Sequence, residues 1–187
     1  MTFDAVVLAG GDARRLGGLD KATIEIGGLS LLDRALEAVS DAREVIVVGP
    51  RRPTSTVVRW TSEIPEGGGP LRATIAGLKL VTCDTAVVLA VDYPFVTPEI
   101  VAELIRAAES HEGAALQDEG GTMHYVVGAY QVTALRSAID ARSPRDASMR
   151  SLFGTLDVVA VRASRAAFDV DTPEDIERAR SSESGEG

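Results

Sequence analysis

The chain has 187 residues, 45% of them hydrophobic, and its 19 Lys plus Arg against 28 Asp plus Glu give a formal net charge of −9, proportions typical of one soluble domain. The acidic balance excludes a general nucleic-acid binder, and the lack of a cationic leader or of an apolar run of about 18–20 residues argues against export and membrane contact. Because Cys83 is the one cysteine, no intramolecular disulfide or multi-cysteine zinc site can form, and we expect a cytoplasmic protein.

Six apolar segments predict the strands of a sheet. The first, residues 3–8, is apolar at nearly every position, as expected of a strand buried on both faces. Comparable runs follow at residues 44–48, 57–60, 85–91, 125–130 and 157–161. Segments with helical spacing separate them, at residues 31–40, 70–81, 99–110 and 174–179. Three of these segments are preceded by residues suited to start a helix: Ser30, Thr97 with Pro98, and Thr172 with Pro173.

The alternation of strands with helices predicts the fold class. We expect a single-domain three-layer α/β/α sandwich with a mostly parallel, Rossmann-like sheet, spanning residues 1–180. Residues 181–187 contain only Ser, Glu and Gly and are expected to be disordered. Residues 141–151 are polar and rich in arginine, which predicts a solvent-exposed loop or a frayed helix.

A glycine-rich loop, residues 8–21 with the sequence LAGGDARRLGGLDK, begins where the first predicted strand ends. Open α/β sheets bind ligands beyond the carboxyl ends of their strands, and glycine leaves backbone N–H groups uncovered for an anion. Arg15 and Lys21 add the fork and the point charge with which proteins bind phosphate. The loop therefore predicts a nucleotide phosphate site at Leu8, Ala9, Gly10, Gly11, Arg15 and Lys21. The alternative is an ordinary connection with incidental arginines, and the spacing matches neither a Walker A loop nor a Gly-x-Gly-x-x-Gly motif.

Acidic residues follow two later segments. Asp92 ends a strongly apolar strand and is expected at the same sheet edge as the glycine loop, where a carboxylate can hold Mg²⁺ together with phosphate oxygens. The alternative is an Asp that starts the turn before the helix at Thr97. Asp169 and Asp171 stand two residues apart, so in an extended stretch they point to one side. Either one of them completes the Mg²⁺ shell, or Asp171 belongs to the turn before Thr172; both accounts stay open.

A second glycine run, residues 67–69, precedes the predicted helix 70–81. Glycines before a helix N-terminus permit close approach of the backbone to a flat ring or to a phosphate. The run therefore predicts a ligand-binding helix N-terminus at Gly69, Pro70 and Leu71. A flexible connector before an ordinary helix is the alternative.

The pattern Leu-Ala-Gly-Gly-x-x-x-Arg-x-Gly-Gly-x-Asp-Lys resembles the signature of the molybdenum cofactor guanylyltransferases, the MobA-like nucleotidyltransferases. The resemblance implies a fold of the nucleotide-diphospho-sugar transferase type and Mg²⁺-dependent transfer of GMP from GTP to molybdopterin or Mo-molybdopterin, with release of pyrophosphate. It implies catalytic roles for Lys21, Arg15 and Asp92, a metal role for Asp92 and Asp171, and base contacts by the Gly-Pro-Leu element. Contacts with a molybdoenzyme or a cofactor-delivery protein are a further expectation, and no nucleic acid or membrane partner is expected.

Two departures from the family pattern keep other functions open. Ile64 stands where members of the family carry an acid that helps to read the nucleotide, and Tyr125 stands where they carry proline after a residue such as His124. One alternative is cytidylyl transfer to molybdopterin or nucleotidyl transfer to another phosphate monoester. Another is a nucleotide-binding or molybdopterin-binding protein without turnover. His124 itself has no nucleophile in view and is expected to be a packed or edge residue.

Overall fold

The computed structural model describes residues 1–10, 19–64, 67–141 and 148–184. In these ranges the chain forms nine strands: β1 Phe3–Leu8, β2 Glu25–Ile26, β3 Leu29–Ser30, β4 Glu44–Val48, β5 Arg59–Thr61, β6 Thr85–Ala90, β7 Gly113–Gln117, β8 Met123–Gln131 and β9 Val158–Arg162. It also forms six α-helices: α1 Leu31–Ala38, α2 Gly69–Leu78, α3 Pro98–Ala107, α4 Val132–Asp140, α5 Met149–Phe153 and α6 Pro173–Ser184. None of these helices has the length and apolar character that a membrane span requires.

Seven of the strands form one sheet in the order β5-β4-β1-β6-β8-β7-β9, and β2 pairs with β3 in a separate hairpin. β1 pairs in parallel with β4 and β6, and β4 pairs in parallel with β5. β8 runs antiparallel to both of its neighbours, and β7 pairs in parallel with β9. The predicted mostly parallel sheet is therefore confirmed, and the carboxyl ends of β1, β4, β5 and β6 meet at one edge.

The pleat of β1 divides the core into two layers. Ala5 and Val7 face a layer filled by α1, α3 and α6, whereas Val6 and Leu8 face a layer filled by α2, α4 and α5. None of these four side chains is more than 4% exposed. The predicted three-layer sandwich is confirmed, and burial of both sheet faces explains why residues 3–8 form a continuous apolar run.

The predicted N-terminal caps form. The Ser30 hydroxyl accepts a hydrogen bond from the backbone N–H three residues later at 3.0 Å, and the Thr97 hydroxyl does the same at 3.5 Å. The Thr172 hydroxyl accepts from the backbone N–H of Asp175 at 3.2 Å. Each cap satisfies a donor that the first helical turn leaves unpaired, so three helices start where the sequence predicts.

Several strands and helices differ from the sequence expectation. β5 starts two residues later than predicted, because its ladder with β4 begins at the pair Ile46 and Arg59 and leaves Val57 95% exposed. The hairpin strands β2 and β3, the strand β7 and the helix α4 were not predicted, and α5 overlaps a segment expected to be a loop or a frayed helix. β7 consists mainly of small residues with weak strand propensity, and it forms because β8 and β9 pair with it on both sides.

The C-terminal helix is longer than expected. α6 continues through Ser184, so the expected disorder is wrong for residues 181–184. The Glu183 carboxylate pairs with Arg34 of α1 at 3.0 Å, and the hydroxyls of Ser181 and Ser182 donate to carbonyls one turn earlier at 2.9 Å. Residues 185–187 lie outside the described residues. The predicted exposed segment 141–151 ends in α5, whose first residue is buried, while residues 142–147 are not among those described.

A buried carboxylate fixes the start of β1. Asp4 is 0% exposed, and its Oδ2 atom accepts the backbone N–H groups of Thr82 at 2.8 Å and Cys83 at 3.0 Å. The Arg43 guanidinium donates to both carboxylate oxygens at 3.0 Å. Burial alone would raise the pKa of Asp4, but these hydrogen bonds outweigh it and lower the pKa to about 2. Asp4 therefore joins β1 to the turn before β6.

Asp4→Asn is expected to lower the free energy of unfolding by about 2–3 kcal/mol at pH 7, because the amide cannot accept all four hydrogen bonds and removes the buried negative charge that pairs with Arg43. A carboxyl with a lowered folded-state pKa stabilises the fold above its unfolded pKa and loses that effect as pH falls to about 2. The stability difference between wild type and variant should therefore shrink between pH 5 and pH 2 in urea denaturation. Asp84→Asn, at an exposed neighbouring position, is the control. A pH-independent difference would contradict the ionised role of Asp4.

Candidate active site

The candidate site lies at the sheet edge where β1, β4 and β6 end. Backbone hydrogen bonds join the residues that follow these three strands. The N–H of Ala9 donates to the carbonyl of Val48 at 2.9 Å, and the N–H of Val91 donates to the carbonyl of Leu8 at 3.1 Å. Gly49 has a φ of +147°, and a Cβ atom there would lie 2.8 Å from the backbone of Ala9 and Gly10. Gly49 is therefore required for this close approach, a role that sequence reasoning missed.

The structure describes part of the predicted glycine loop. Leu8, Ala9 and Gly10 lie at the exit of β1, and the side chains of Leu8 and Ala9 are buried, so only their backbone groups are available to a ligand. Gly11 and Arg15 fall within residues 11–18, which lie outside the described residues. The predicted roles of these two residues stay predictions.

Lys21 follows the loop in a short 3₁₀ turn, Lys21–Thr23. The Asp20 carboxylate caps this turn by accepting the N–H of Ala22 at 3.2 Å, and the Arg52 guanidinium holds the same carboxylate with contacts of 2.5 and 2.7 Å. Asp20 and Arg52 thus fix the backbone from which the Lys21 side chain extends. Asp20 belongs to the sequence signature, whereas no sequence signal pointed to Arg52.

Two predicted acidic residues meet at the Lys21 ammonium group. Lys21 Nζ donates to Asp171 Oδ1 at 2.7 Å and to Asp92 Oδ2 at 3.2 Å. The N–H of Val170 donates to the carbonyl of Asp92 at 2.9 Å, and this bond sets Asp171 beside the exit of β6. The structure therefore brings together three predicted site residues that lie up to 150 positions apart in the chain.

Asp171 also takes part in the turn that precedes α6. The backbone N–H of Asp171 donates to Asp175 Oδ2 at 3.3 Å, so Asp171 is part of the turn before α6 as well as a partner of Lys21. The two accounts drawn from the sequence are therefore compatible. The ion pairs of Lys21 involve Asp171 and Asp92, and Asp169 takes no part in them.

Burial and charge act in opposite directions at this cluster. Burial is the largest influence on Asp92 and raises its pKa, the nearby Asp171 carboxylate acts in the same direction, and Lys21 offsets both only in part. Burial alone would lower the pKa of Lys21, but the two carboxylates outweigh it and raise the pKa, so Lys21 stays protonated. A buried carboxylate with a raised pKa beside a lysine at a ligand-binding sheet edge is typical of a functional site.

The donor set fits a magnesium ion that is shared with a substrate. Asp92 Oδ1 is buried and has no hydrogen-bond partner among the described residues, so this oxygen is available to a cation. Within the described ranges no group of three or more His, Cys, Asp and Glu side chains is arranged to hold a metal. Mg²⁺ typically takes one or two protein carboxylates and completes its shell with water and phosphate oxygens, which matches Asp92 with Asp171.

The predicted base-binding element lies at the N-terminus of α2. Because α2 follows β5 and precedes β6, it starts at the same sheet edge as the glycine loop. Gly69 has a φ of +83° and faces open space, Pro70 occupies the first turn, and the Leu71 side chain is buried in the core layer that also holds Leu8. Leu71 thus anchors the helix through its buried side chain, and the role of Gly69, Pro70 and Leu71 in nucleotide binding stays a prediction. Ile64 is 93% exposed and reaches no core position.

Sequence reasoning missed a chain of hydrogen bonds beside Asp92. The Tyr93 hydroxyl lies 3.0 Å from His124 Nδ1, and His124 Nε2 lies 3.3 Å from Asp118 Oδ2. His124 is therefore a packed residue, as expected, but it is packed against the residue that follows the candidate metal ligand. The contact depends on β8 running antiparallel to β6, and no pattern in the sequence indicated that direction.

Comparison with known proteins agrees with the geometry. The sequence profile of the MobA-like NTP transferase domain matches residues 5–161. A protein of Mycobacterium avium described as "Probable molybdenum cofactor guanylyltransferase" is 32% identical over 187 aligned residues, which cover 94% of each chain. A protein of Natronomonas pharaonis with the same description is 29% identical over 200 aligned residues, covering 94% of this chain and 95% of the relative.

Solved structures show the same fold. The Archaeoglobus fulgidus molybdopterin-guanine dinucleotide biosynthesis protein A superposes with a TM-score of 0.75 at 22% identity, covering 97% of this chain and 99% of that one. The Thermus thermophilus 2-C-methyl-D-erythritol 4-phosphate cytidylyltransferase superposes with a TM-score of 0.74 at 21% identity, covering 97% and 98%. At these identities the likeness concerns the fold, which serves more than one nucleotide. The domain match and the Mycobacterium avium relative show that this chain belongs to the MobA-like NTP transferase family and is a nucleotidyltransferase.

Proposed function

We propose that this protein transfers GMP from GTP to the terminal phosphate of molybdopterin or Mo-molybdopterin in a Mg²⁺-dependent reaction that releases pyrophosphate. The observation that carries the proposal is the convergence of Lys21, Asp92 and Asp171 at the exit of β1 and β6. The choice of guanine and of the acceptor rests on the names of the curated relatives. Transfer of the acceptor from a cofactor-delivery protein, in the cytoplasm, belongs to the same proposal.

The reaction needs no protein nucleophile. An oxygen of the acceptor phosphate forms a bond to the α-phosphorus of GTP while the bond from that phosphorus to the bridging oxygen breaks, and pyrophosphate leaves with the electron pair. Such in-line transfer depends mainly on positioning and on charge neutralisation. Mg²⁺ bound to Asp92 and Asp171 would supply Lewis-acid stabilisation of the phosphate oxygens.

The chain's own groups would hold the triphosphate. Lys21 is a protonated, partly buried cation at the end of the glycine loop, suited to neutralise charge on the departing pyrophosphate. The backbone N–H groups at Gly10 and Gly11 and the Arg15 guanidinium would bind the remaining phosphate oxygens. The N-terminus of α2, from Gly69, would meet the guanine base across the same edge.

A nucleotide panel tests the base specificity. At saturating Mg²⁺ and a nucleotide concentration of roughly 100 Kd, ligand binding to the folded protein adds about 2.7 kcal/mol to its stability. For a chain of this size that corresponds to a rise of about 5–10 °C in Tm. We expect GTP to raise the Tm more than CTP, ATP or UTP in a thermal-shift measurement. A larger shift with CTP would contradict the guanylyl assignment.

Two observations favour cytidylyl transfer as the second candidate function. Ile64 is exposed where an acid was expected from the family pattern, and a cytidylyltransferase shares the fold over nearly the whole chain. One assay distinguishes both enzymes from the remaining alternative, a nucleotide-binding or molybdopterin-binding protein without turnover. With GTP, Mg²⁺ and molybdopterin supplied together, an enzyme releases pyrophosphate, whereas a carrier binds nucleotide and releases none.

A further inference from the structure

The hydrogen-bonded chain Tyr93–His124–Asp118, called here the Tyr93 relay, borders the proposed metal ligand without forming part of the proposed reaction. Tyr93 is 8% exposed and the His124 side chain 15% exposed. Their rings pack edge to face with centroids 5.7 Å apart. The contact therefore lies inside the protein rather than on its surface.

The partners of the relay define the direction of each hydrogen bond. The Asp118 carboxylate accepts the backbone N–H of Thr122 at 2.8 Å, which lowers its pKa, so it is ionised and can only accept. An imidazole that carries its proton on Nε2 fits this acceptor, because Nε2–H donates to Asp118. Nδ1 then carries the lone pair and accepts a hydrogen bond from the Tyr93 hydroxyl.

The sheet register brings the relay to Asp92. β6 and β8 pair antiparallel as far as Leu89 and Val127, so the first residues of β8 lie near the exit of β6, where Tyr93 reaches His124. The residues around Asp92 are tied on three sides. The N–H of Val91 donates to β1 at 3.1 Å, the Asp92 carbonyl accepts from Val170 at 2.9 Å, and the Tyr93 hydroxyl reaches β8 at 3.0 Å.

We propose that Tyr93 and His124 are positioning residues that hold the Asp92 carboxylate in the orientation in which it binds a divalent cation together with the nucleotide. The proposal rests on the metal role given to Asp92 under the proposed function. Both ring nitrogens of His124 are already hydrogen-bonded, so it acts through Tyr93 rather than on a substrate. Outer partners of metal ligands typically change metal affinity by about 10–100-fold when removed.

Three variants separate the two bonds of the relay. Tyr93→Phe removes one oxygen and leaves the ring packing intact. His124→Gln places an amide nitrogen near Nε2, which keeps the donor to Asp118 and removes the acceptor for Tyr93. His124→Asn places an amide oxygen near Nδ1, which keeps the acceptor for Tyr93 and removes the donor to Asp118. Comparing His124→Gln with His124→Asn therefore shows which hydrogen bond of the imidazole supports binding of the divalent ion.

The measurement is Mn²⁺ binding followed by electron paramagnetic resonance, with the non-reactive analogue α,β-methylene-GTP present. We expect Tyr93→Phe and His124→Gln to weaken Mn²⁺ binding by about 10-fold and His124→Asn by less than about 3-fold. Analogue affinity measured without a divalent ion should stay the same in all variants, which a general loss of structure would not allow. Thermal unfolding shows whether each variant is folded, and if His124→Gln is not, Tyr93→Phe decides alone.

Wild-type Mn²⁺ affinity in Tyr93→Phe would overturn the proposed role of the relay. Equal losses of Mn²⁺ affinity in His124→Gln and His124→Asn would do the same, as would a parallel loss of analogue affinity measured without metal. Asp92→Asn distinguishes this failure from failure of the proposed function. If Asp92→Asn loses Mn²⁺ and Tyr93→Phe does not, the relay alone is wrong. If Asp92→Asn binds Mn²⁺ as wild type does, the metal role of Asp92 is wrong and the relay falls with it.

Discussion

Lys21→Ala is expected to lower kcat by roughly 10²–10³, the loss observed when one preorganised donor is removed from a charged transition state. The structure supports this expectation because Lys21 is fixed by the capped turn after Asp20 and lies within 3.2 Å of both acidic residues. Its ammonium is the described cation best placed to meet charge on the departing pyrophosphate. Pyrophosphate release at saturating GTP, Mg²⁺ and molybdopterin measures the effect.

The chain offers a matched control for this variant. Lys79 is the one other lysine, and it is exposed at the C-terminal end of α2, away from the sheet edge that holds the site. Lys79→Ala should leave turnover unchanged. An unchanged kcat in Lys21→Ala would contradict the catalytic assignment, whereas a loss in both variants would point to a general effect of lysine removal.

Asp92→Asn is expected to lower turnover by roughly 10³, because losing a metal ligand forfeits several kcal/mol of charge stabilisation and about 4 kcal/mol corresponds to that factor. Burial raises the pKa of Asp92, which means that the folded protein disfavours its ionised form. The variant should therefore be at least as stable as wild type in thermal unfolding. Loss of activity with retained stability is the combined result that identifies a functional carboxylate.

Other acidic positions calibrate the Asp92 measurement. Asp171→Asn is expected to reduce turnover less, by about 10-fold, because the Asp171 side chain is 44% exposed against 25% for Asp92, and water screens its charge more strongly. Asp169→Asn should leave turnover near wild type, since Asp169 takes no part in the ion pairs of Lys21. Full activity in Asp92→Asn across a Mg²⁺ titration would refute the metal assignment.

Much of the fold follows from local signals. The bounds of β1 and β4 coincide with the apolar runs at residues 3–8 and 44–48, because both strands are buried on both faces. The helices that begin after Ser30 and Thr97 start at capping residues. β7 escaped prediction because its strand state depends on its two neighbours in the sheet, which no local pattern of small residues encodes.

The site was partly predictable for the same reason. Asp92 follows a predicted strand and Lys21 ends the glycine loop that follows another, and the parallel order of those strands brings both residues to one edge. Asp171 precedes a predicted helix, and the hydrogen bond from Val170 to the Asp92 carbonyl brings it to the same place. The contact of His124 with Tyr93 was not predictable, because it requires β8 to run opposite to β6. The role of Arg52 was not predicted, because it lies in a stretch without regular structure. Its hydrogen bonds to the Asp20 carboxylate form only in the folded chain.

The two ends of β1 serve different purposes, stability at one end and nucleotide binding at the other. Asp4 fixes its amino end and the glycine loop starts at its carboxyl end, four residues and roughly 13 Å further along. Energetic effects of substitutions that far apart are usually additive. A more stable background obtained by changes near the Asp4 end would therefore tolerate costly changes at the nucleotide end, so that substrate preference can drift while the sheet itself stays intact.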